Sequence, residues 1–493
     1  MSTSHYRSLS FIALGAVAAL SLSGCKVGPQ YVRPAAPLAP EFKEEGPASF
    51  KEVGGWKTAQ PNDAALKGEW WTMFHDSELD SLETQIEPAN QTLKQAEANF
   101  RSSRAAIRFY RANKAPTIGA APSIAAVRNS VNQPYFNKSL AIDGTGDFSL
   151  PIDLNYEVDI WGRIRRSITQ ATEEAQASAA DLQSARLSLH AELALDYFNL
   201  RSADAQRKLL DDTVKAYKDA LQLTEDRYNG GAAPLSDVTQ ARTLLQTAQV
   251  QATDVDIQRA DYEHAIAVLL GRPPATLNLA PRPVTSDQPV LPAIPGMVPS
   301  QLLERRPDIA SNERRMAAAN EQIGIAKAAF YPTLSLSAVA GFTGTSAINW
   351  FTWPSRFFAV GPTFTQTLFD HGRRQATSDI ALAQYDASVA EYRQTTLTAF
   401  QQVEDNLNAL HRLEVEADQQ HQSTLSAQQS LDLFNTRYEG GVDTYLQVIT
   451  WQTSLLQNER NDIDITRRRL EASVLLIKAL GGGWDSSQLP QNP

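Results

Sequence analysis

Residues 163 to 229 read RIRRSITQATEEAQASAADLQSARLSLHAELALDYFNLRSADAQRKLLDDTVKAYKDALQLTEDRYN, 67 residues without a glycine or proline, bracketed by Gly162 and Gly230. A second such stretch, Arg373 to Glu439, is also 67 residues long and lies between Gly372 and Gly440. Glycine and proline are the common helix breakers, so their absence over this length predicts two unbroken helices. At 1.5 Å per residue each would measure about 100 Å. Globular helices average about 11 or 12 residues, so these belong in an elongated bundle or coiled coil. Ile164, Ile168, Ala171, Ala175, Leu182, Ala185 and Leu189 follow the spacing of a packed seam, and Ala376, Ile380, Ala383, Ala387 and Ala390 repeat it. Periodicity alone fits two coiled-coil stalks as well as a helical tube.

The two halves of the chain are copies. Arg227-Tyr228-Asn229-Gly230-Gly231 returns as Arg437-Tyr438-Glu439-Gly440-Gly441, an offset of 210 residues from Gly230 to Gly440. Leu245 matches Leu455, Arg259 matches Arg469, and Leu270-Gly271 matches Leu480-Gly481. Each unit is a long helix, a glycine turn and a return helix of about 35 residues, as the spacing from Pro234 to Gly271 allows. Upstream, Lys114-Ala115-Pro116-Thr117-Ile118 matches Phe330-Tyr331-Pro332-Thr333-Leu334 in placement.

Between the helices the period changes to two. Phe148, Leu150, Ile152, Leu154, Tyr156, Val158 and Ile160 alternate with Ser149, Pro151, Asp153, Asn155, Glu157 and Asp159. Leu334 to Phe342 and Phe358 to Leu368 continue the pattern, and Ile118 to Ala126 is its weakest instance. One apolar and one polar face suits a lipid-facing barrel strand with a watery interior, and equally a half-buried soluble sheet. The N-terminus favours the first. Arg7, the apolar run from Phe11 to Leu20 and Leu22-Ser23-Gly24-Cys25 form a bacterial export signal ending in a lipobox. Cys25 is the only cysteine, which excludes an internal disulfide and leaves lipidation as its use. Lys26 in the next position is not the aspartate that retains many lipoproteins in the inner membrane. Four strands are too few to close a membrane barrel, since bacterial barrels begin at about eight and lipid tolerates no open edge, so several chains must share one. Composition agrees with a folded chain (42% hydrophobic, 20% charged) that lacks a bundle of membrane helices, and the net charge of −10 argues against nucleic acid as a partner.

With these residues in place the chain resembles the TolC-type outer-membrane factors of tripartite efflux, in their lipoprotein subgroup. The resemblance rests on Gly24-Cys25-Lys26-Val27-Gly28-Pro29, on Trp70-Trp71-Thr72-Met73-Phe74, and on Leu302 to Ile309 running through Ile323-Gly324-Ile325-Ala326-Lys327-Ala328-Ala329-Phe330-Tyr331-Pro332. The two glycine turns and Gly481-Gly482-Gly483-Trp484 complete it. It implies an α+β membrane protein, a homotrimer whose three sets of four strands form one 12-stranded β-barrel. A long periplasmic α-helical barrel with a mixed equatorial region continues it. The expected plan is a signal peptide at 1–24, a lipid-anchored equatorial segment at 25–85, a helix at 86–115 and a barrel hairpin at 116–161. A helical hairpin follows at 162–271 and an equatorial linker at 272–300. The second repeat supplies a helix at 301–331, a barrel hairpin at 332–371, a helical hairpin at 372–481 and a tail at 482–493.

The implied function is passive: a gated outer-membrane duct, coupled through a periplasmic adaptor to an inner-membrane pump of the RND type, exporting drugs or other toxic compounds. A duct for type I polypeptide secretion is the alternative. No cofactor is implied beyond the lipid on Cys25. The resemblance places adaptor docking at the turns of Gly230, Gly231, Gly440 and Gly441. It builds the periplasmic gate from Leu446 and Thr450, the latter commonly aspartate in relatives, and latches it by a hydrogen bond between Tyr438 and Asp237. Asp443 stands where some relatives carry an assisting arginine.

The rival reading, a lipid-tethered enzyme, has few residues to draw on. His411 and His421 with Glu414 and Glu416 share one helix, but the two histidines are about 15 Å apart along it, as expected of a solvated face. Glu304 to Asp308 reads as a helix start through Pro307, and His371 as a corner residue matching the place of Trp161-Gly162. The methionines left after signal removal, Met73, Met297 and Met316, do not cluster, so a methionine copper relay has no support. A spacer without a pore would not need the four alternating strands.

Overall fold

A computed structural model of the chain describes residues 26–37, 42–43, 68–128, 130, 132, 144–284 and 302–490. The export signal, Cys25 and residues 285–300 of the expected 272–300 linker lie outside them. Nine helices are used below: α1 Ser77–Glu83, α2 Ile86–Ala89, α3 Gln91–Ala112, α4 Arg163–Asn229, α5 Leu235–Leu269, α6 Leu302–Arg305, α7 Pro307–Ala328, α8 Arg373–Glu439 and α9 Tyr445–Ala479. The strands are β1 Thr117–Ala120, β2 Ser123–Val127, β3 Thr145–Val158, β4 Thr333–Gly344 and β5 Arg356–Thr365.

The 67-residue helices α4 and α8 run unbroken, and each returns through a 35-residue partner, α5 or α9. Two shorter helices depart from the expected boundaries. The helix expected at 86–115 is interrupted at Asn90, which is extended and whose side chain accepts from the Leu93 N–H at 2.9 Å, and it ends at Ala112. The one expected at 301–331 is interrupted at Arg306, because a residue before proline is pushed out of the helical region. The two interruptions match: α3 and α7 are both 22 residues long.

The sheet is antiparallel in the order β1/β2, β3, β4, β5, with β1 and β2 forming one strand broken around Pro122, a residue with no ladder donor. Its register shows why the alternation matters. Leu154 lies opposite Ile118 and Ala338, Ile152 opposite Ala340, Ala338 opposite Val360 and Ala340 opposite Phe358, so the apolar sets of all strands share one face. Ser335, Ser337 and Thr343 face Glu157, Asn155 and Ser149 on the other. Ile118, Ile152, Phe358, Val360 and Phe364 are exposed, and β1/β2 and β5 are unpaired edges. No described helix is long and apolar enough to cross a membrane.

Below the sheet the helices form a row: α3 packs on α4, α4 on α7, and α7 on α8. The seam read on α4 is buried at Ile164, Ala171, Ala175, Leu182 and Leu189 and half-buried at Ile168 and Ala185. The seam read on α8 is a correction: Ala376, Ile380, Ala383, Ala387 and Ala390 are all exposed. The face of α8 buried on α7 is instead Ala381, Tyr392 and Ala399. Small residues at helical spacing mark a face suited to close contact without naming its partner, and no described residue of the chain covers this one.

At the corner between sheet and helices, Arg166 is fully buried. Its guanidinium donates to Glu321 Oε2 at 2.8 Å and to the carbonyls of Val27 and Pro29 at 2.6 and 3.0 Å. Gly324 on α7 makes the room, since a Cβ there would stand 2.2 Å from the arginine Nε. Gly28, with φ 102°, passes so close that its own Cβ would meet the Gly324 Cα at 2.6 Å. Two motifs that look unrelated in sequence, around Gly28 and around Gly324, are thus two sides of one socket. From it the N-terminal arm runs along α7 and α8, with Tyr31 donating to Glu313, Arg33 to the Tyr392 hydroxyl and Lys43 N–H to Glu404. Arg166→Ala leaves the Glu321 carboxylate buried without its main partner, and about 3 kcal/mol or more of stability should go with it. Gly28→Val should release the arm, read as protease sensitivity at the N-terminus, while the helical hairpins keep their circular dichroism. An arm as resistant as wild type in the Gly28 variant would refute the socket.

Candidate periplasmic gate

The ends of the long hairpins are built alike. Helix α4 closes with Gly231 N–H bonded to Tyr228 O at 2.9 Å and Ala232 N–H to Arg227 O at 2.7 Å, and α8 closes with Gly441 N–H on Tyr438 O at 3.0 Å and Val442 N–H on Arg437 O at 2.9 Å. This is the two-bond C-terminal cap that requires a left-handed residue at its first outside position. Gly231 (φ 76°) and Gly441 (φ 74°) fill it, whereas Gly230 and Gly440 keep right-handed helical geometry and need no glycine. Of the four glycines expected to matter, two are therefore demanded by the backbone.

The expected latch takes a different form. Tyr438 is buried, and its hydroxyl makes no hydrogen bond; Asp237, the third residue of α5, instead accepts from the Ser236 hydroxyl at 3.3 Å. Burial, with a smaller push from the nearby Asp237 carboxylate, raises the Tyr438 phenol above its usual range, so it is neutral. What holds Tyr438 is Arg227, at the end of α4. Its guanidinium lies 4.5 Å from the Tyr438 ring centroid and donates to the Tyr438 and Glu439 carbonyls at 3.2 and 3.4 Å. The cation thus covers an aromatic face and the negative end of α8 together. Tyr445, 5.2 Å away ring to ring, with Ala241 and Val448, completes the packing between the two hairpins.

The structure places the remaining expected residues near this contact but does not join them to it. Asp443 forms an ion pair with Arg437 inside its own turn, so it does not rewire the latch across hairpins. The Thr450 hydroxyl donates back to the Leu446 carbonyl at 2.9 Å, and both side chains are exposed, as is Val442. Arg227 opens the repeated Arg-Tyr-x-Gly-Gly motif, and the sequence alone assigns it no role. Its twin Arg437 closes a local turn, and the repeat does not distinguish the two.

Above the tip, the first hairpin is strapped by the segment around 279–282, whereas the helices of the second are joined directly by Gln420 donating to Asn458 at 2.7 Å and Thr424 donating to Asp462 at 2.6 Å. Arg201 donates to Asp204 and to the Ala280 carbonyl at 2.7 and 2.9 Å. Arg259 donates to Asp204 Oδ1 at 2.7 Å and to the Leu279 carbonyl, and the Arg282 N–H returns to Asp204 at 2.8 Å. The repeat places His411, Glu414 and Arg469 where Arg201, Asp204 and Arg259 stand. The Arg469 Nε is buried without a partner and burial lowers that guanidinium's pKa. Among the described residues no group of three histidine, cysteine, aspartate or glutamate side chains is arranged to hold a metal ion, and Glu416 is paired with Arg468 at 3.0 Å.

The sequence pattern of the outer membrane efflux protein family matches residues 84–272 and 298–482. The chain belongs to this family. It is 32% identical over 471 residues to the probable efflux pump outer membrane protein TtgC of Pseudomonas putida, covering 95% of each chain. It is as similar to the outer membrane protein OprJ of Pseudomonas aeruginosa, again 32% over 471 residues and 95% of each. Among solved structures, the outer-membrane channel OprN superposes with a TM-score of 0.84 at 27% identity, over 93% of this chain and all of that one.

Arg227→Ala removes a cation–aromatic contact of about 0.5 to 2 kcal/mol together with a helix cap, and resting conductance in planar bilayers should rise without loss of assembly. Tyr438→Phe deletes an unpartnered hydroxyl and should leave conductance near wild type. Conductance raised by the phenylalanine and unchanged by the alanine would assign the latch to the hydroxyl. At the turns, Gly441→Ala should cost about 1 to 2 kcal/mol for a left-handed non-glycine residue, while Gly440→Ala should cost nothing measurable by thermal unfolding.

Proposed function

We propose that the chain is the outer-membrane component of an efflux pump, and that three copies form a passive gated duct. The observation that carries it is the sheet: four strands with one continuous apolar face and two unpaired edges, set on helices that reach about 100 Å away. Three such sheets make 12 strands, a closed barrel, and the helical rows below continue it as a tunnel into the periplasm. Family membership and the likeness to OprN support this reading over an enzyme, and efflux over polypeptide secretion.

The arm supports lipid anchoring at Cys25. Lys26 is held at the base of the sheet, where the Val27 N–H donates to the Trp161 carbonyl at 3.1 Å and the Lys26 ammonium approaches Glu321 at 3.2 Å. That level is the periplasmic surface of the outer membrane, so an acyl chain on the preceding residue enters lipid directly. The partners are a periplasmic adaptor meeting the tip near Gly231 and Gly441 and an inner-membrane pump of RND type. Relatives named for antibiotic and toluene efflux make drugs and organic solvents the favoured cargo.

Loss of the gene should raise susceptibility to such compounds several-fold, with restoration by the wild-type chain. Cys25→Ala should abolish palmitate labelling while assemblies still insert through the barrel. Purified protein in planar bilayers should give discrete conductance steps; silence from assembled, inserted protein under all gating conditions would contradict a duct.

A further inference from the structure

Aromatic side chains gather at both ends of the sheet. At its base Trp161 stacks on Tyr331 with ring centroids 4.7 Å apart, and at its far end Trp350 stacks on Phe351, also at 4.7 Å. The far belt lies on the apolar face. The loop between β4 and β5 folds back over the sheet, so that Trp350 packs on Phe148 and Phe351 on Phe342, both members of the apolar set. From Thr333 to Phe342 the strand rises about 30 Å along its length, or about 21 to 25 Å in height at the tilt of barrel strands, which matches the apolar band of a membrane barrel. The two belts therefore mark the two surfaces of the membrane.

The belts differ in how their polar groups are satisfied. At the base the Trp161 indole donates to the Pro332 carbonyl at 2.7 Å, and the Arg374 guanidinium, over the Phe330 ring, donates to Asp370 at 2.7 Å. At the far end Arg356 pairs with Phe342 in register, which gives it the same face as Phe358 and Val360. Its guanidinium lies 4.0 Å from the Trp353 ring centroid, and its Nη1 donates to the Trp353 carbonyl at 2.8 Å. Arg356 is exposed, and among the described residues it has no carboxylate partner. The Trp350 indole N–H in the same belt is also unpartnered. A cation fixed on tryptophan at the edge of a lipid-facing strand, with its charge uncompensated, suits an anion that arrives with the lipid.

We infer that Arg356, seated on Trp353, binds a phosphate of lipopolysaccharide, the phosphorylated glycolipid of the outer leaflet, whose acyl chains then run along Phe358 and Val360. The inference rests on the outer-membrane barrel proposed above. Position selects this lipid over phospholipid. Phospholipids fill the inner leaflet and meet the base belt, where Asp370 already neutralises the arginine. The geometry of the guanidinium selects phosphate. Among the described residues only Nη1 is engaged, which leaves the edge formed by Nε and Nη2 to donate two parallel hydrogen bonds to one phosphate.

The test titrates the purified, assembled full-length protein in mild detergent with diphosphorylated lipid A, with dephosphorylated lipid A and with phosphatidylglycerol, and reads bound lipid by native mass spectrometry. Wild type should prefer diphosphorylated lipid A over both others by roughly tenfold. Arg356→Gln should remove that preference, with single-channel conductance unchanged. Trp353→Leu should weaken it at least threefold, and exposed Arg101→Gln on α3 should leave it intact, which separates the site from bulk charge. Equal affinity of wild type and Arg356→Gln for diphosphorylated lipid A, or no preference among the three lipids in wild type, would overturn the site while conductance leaves the duct standing. Protein that neither inserts nor conducts would remove the barrel and this site together.

Discussion

Everything in the molecule answers to the unpaired edges of a four-stranded sheet. In water such edges are tolerated, but in lipid each unpaired N–H or C=O costs several kcal/mol, and only helices or closed barrels survive. The register puts the alternating apolar sets of β3, β4 and β5 on one face, so this sheet belongs in lipid, and its edges at β1/β2 and β5 must find each other in other copies. The helices below obey the same order. Their row ends at α3 under β1 and at α8 beyond β5, so one rotation closes sheet and row together.

Against that shared geometry, the two repeats differ where each has a separate task. The first carries Arg166, which gathers the arm, α4 and α7 into one socket, and the strap of Arg201, Asp204 and Arg259 over its hairpin. The second lacks both and ends at the tip with exposed Leu446, Val442 and Thr450. The two hairpins are joined below by Arg227 on Tyr438, a cation on an aromatic face and a helix end worth about 0.5 to 2 kcal/mol, and by the packing of Tyr445, Val448 and Ala241 around it.

The sequence disclosed what depends on local chemistry. Missing glycines and prolines marked α4 and α8 because breakers act within their own turn, and parity marked the strands because side chains alternate whatever lies opposite. What depends on the partner stayed hidden. Ala376 to Ala390 reads as a packed seam in any helix, and only the coordinates show it exposed in the single chain. Arg166 looks like one of several arginines at the start of a helix, and its burial follows from Gly324, far away in sequence. The Tyr438 and Asp237 latch is implied by resemblance, whereas in the structure Tyr438 is covered by Arg227, one member of a repeated motif whose twin closes a local turn.

The central claim is that three chains complete what one cannot. Native mass spectrometry of the mature protein released from detergent measures it most directly. The account predicts a dominant species of three chains, with monomer appearing only when the assembly is disrupted. A stable folded monomer, or a closed assembly of another number, would contradict it.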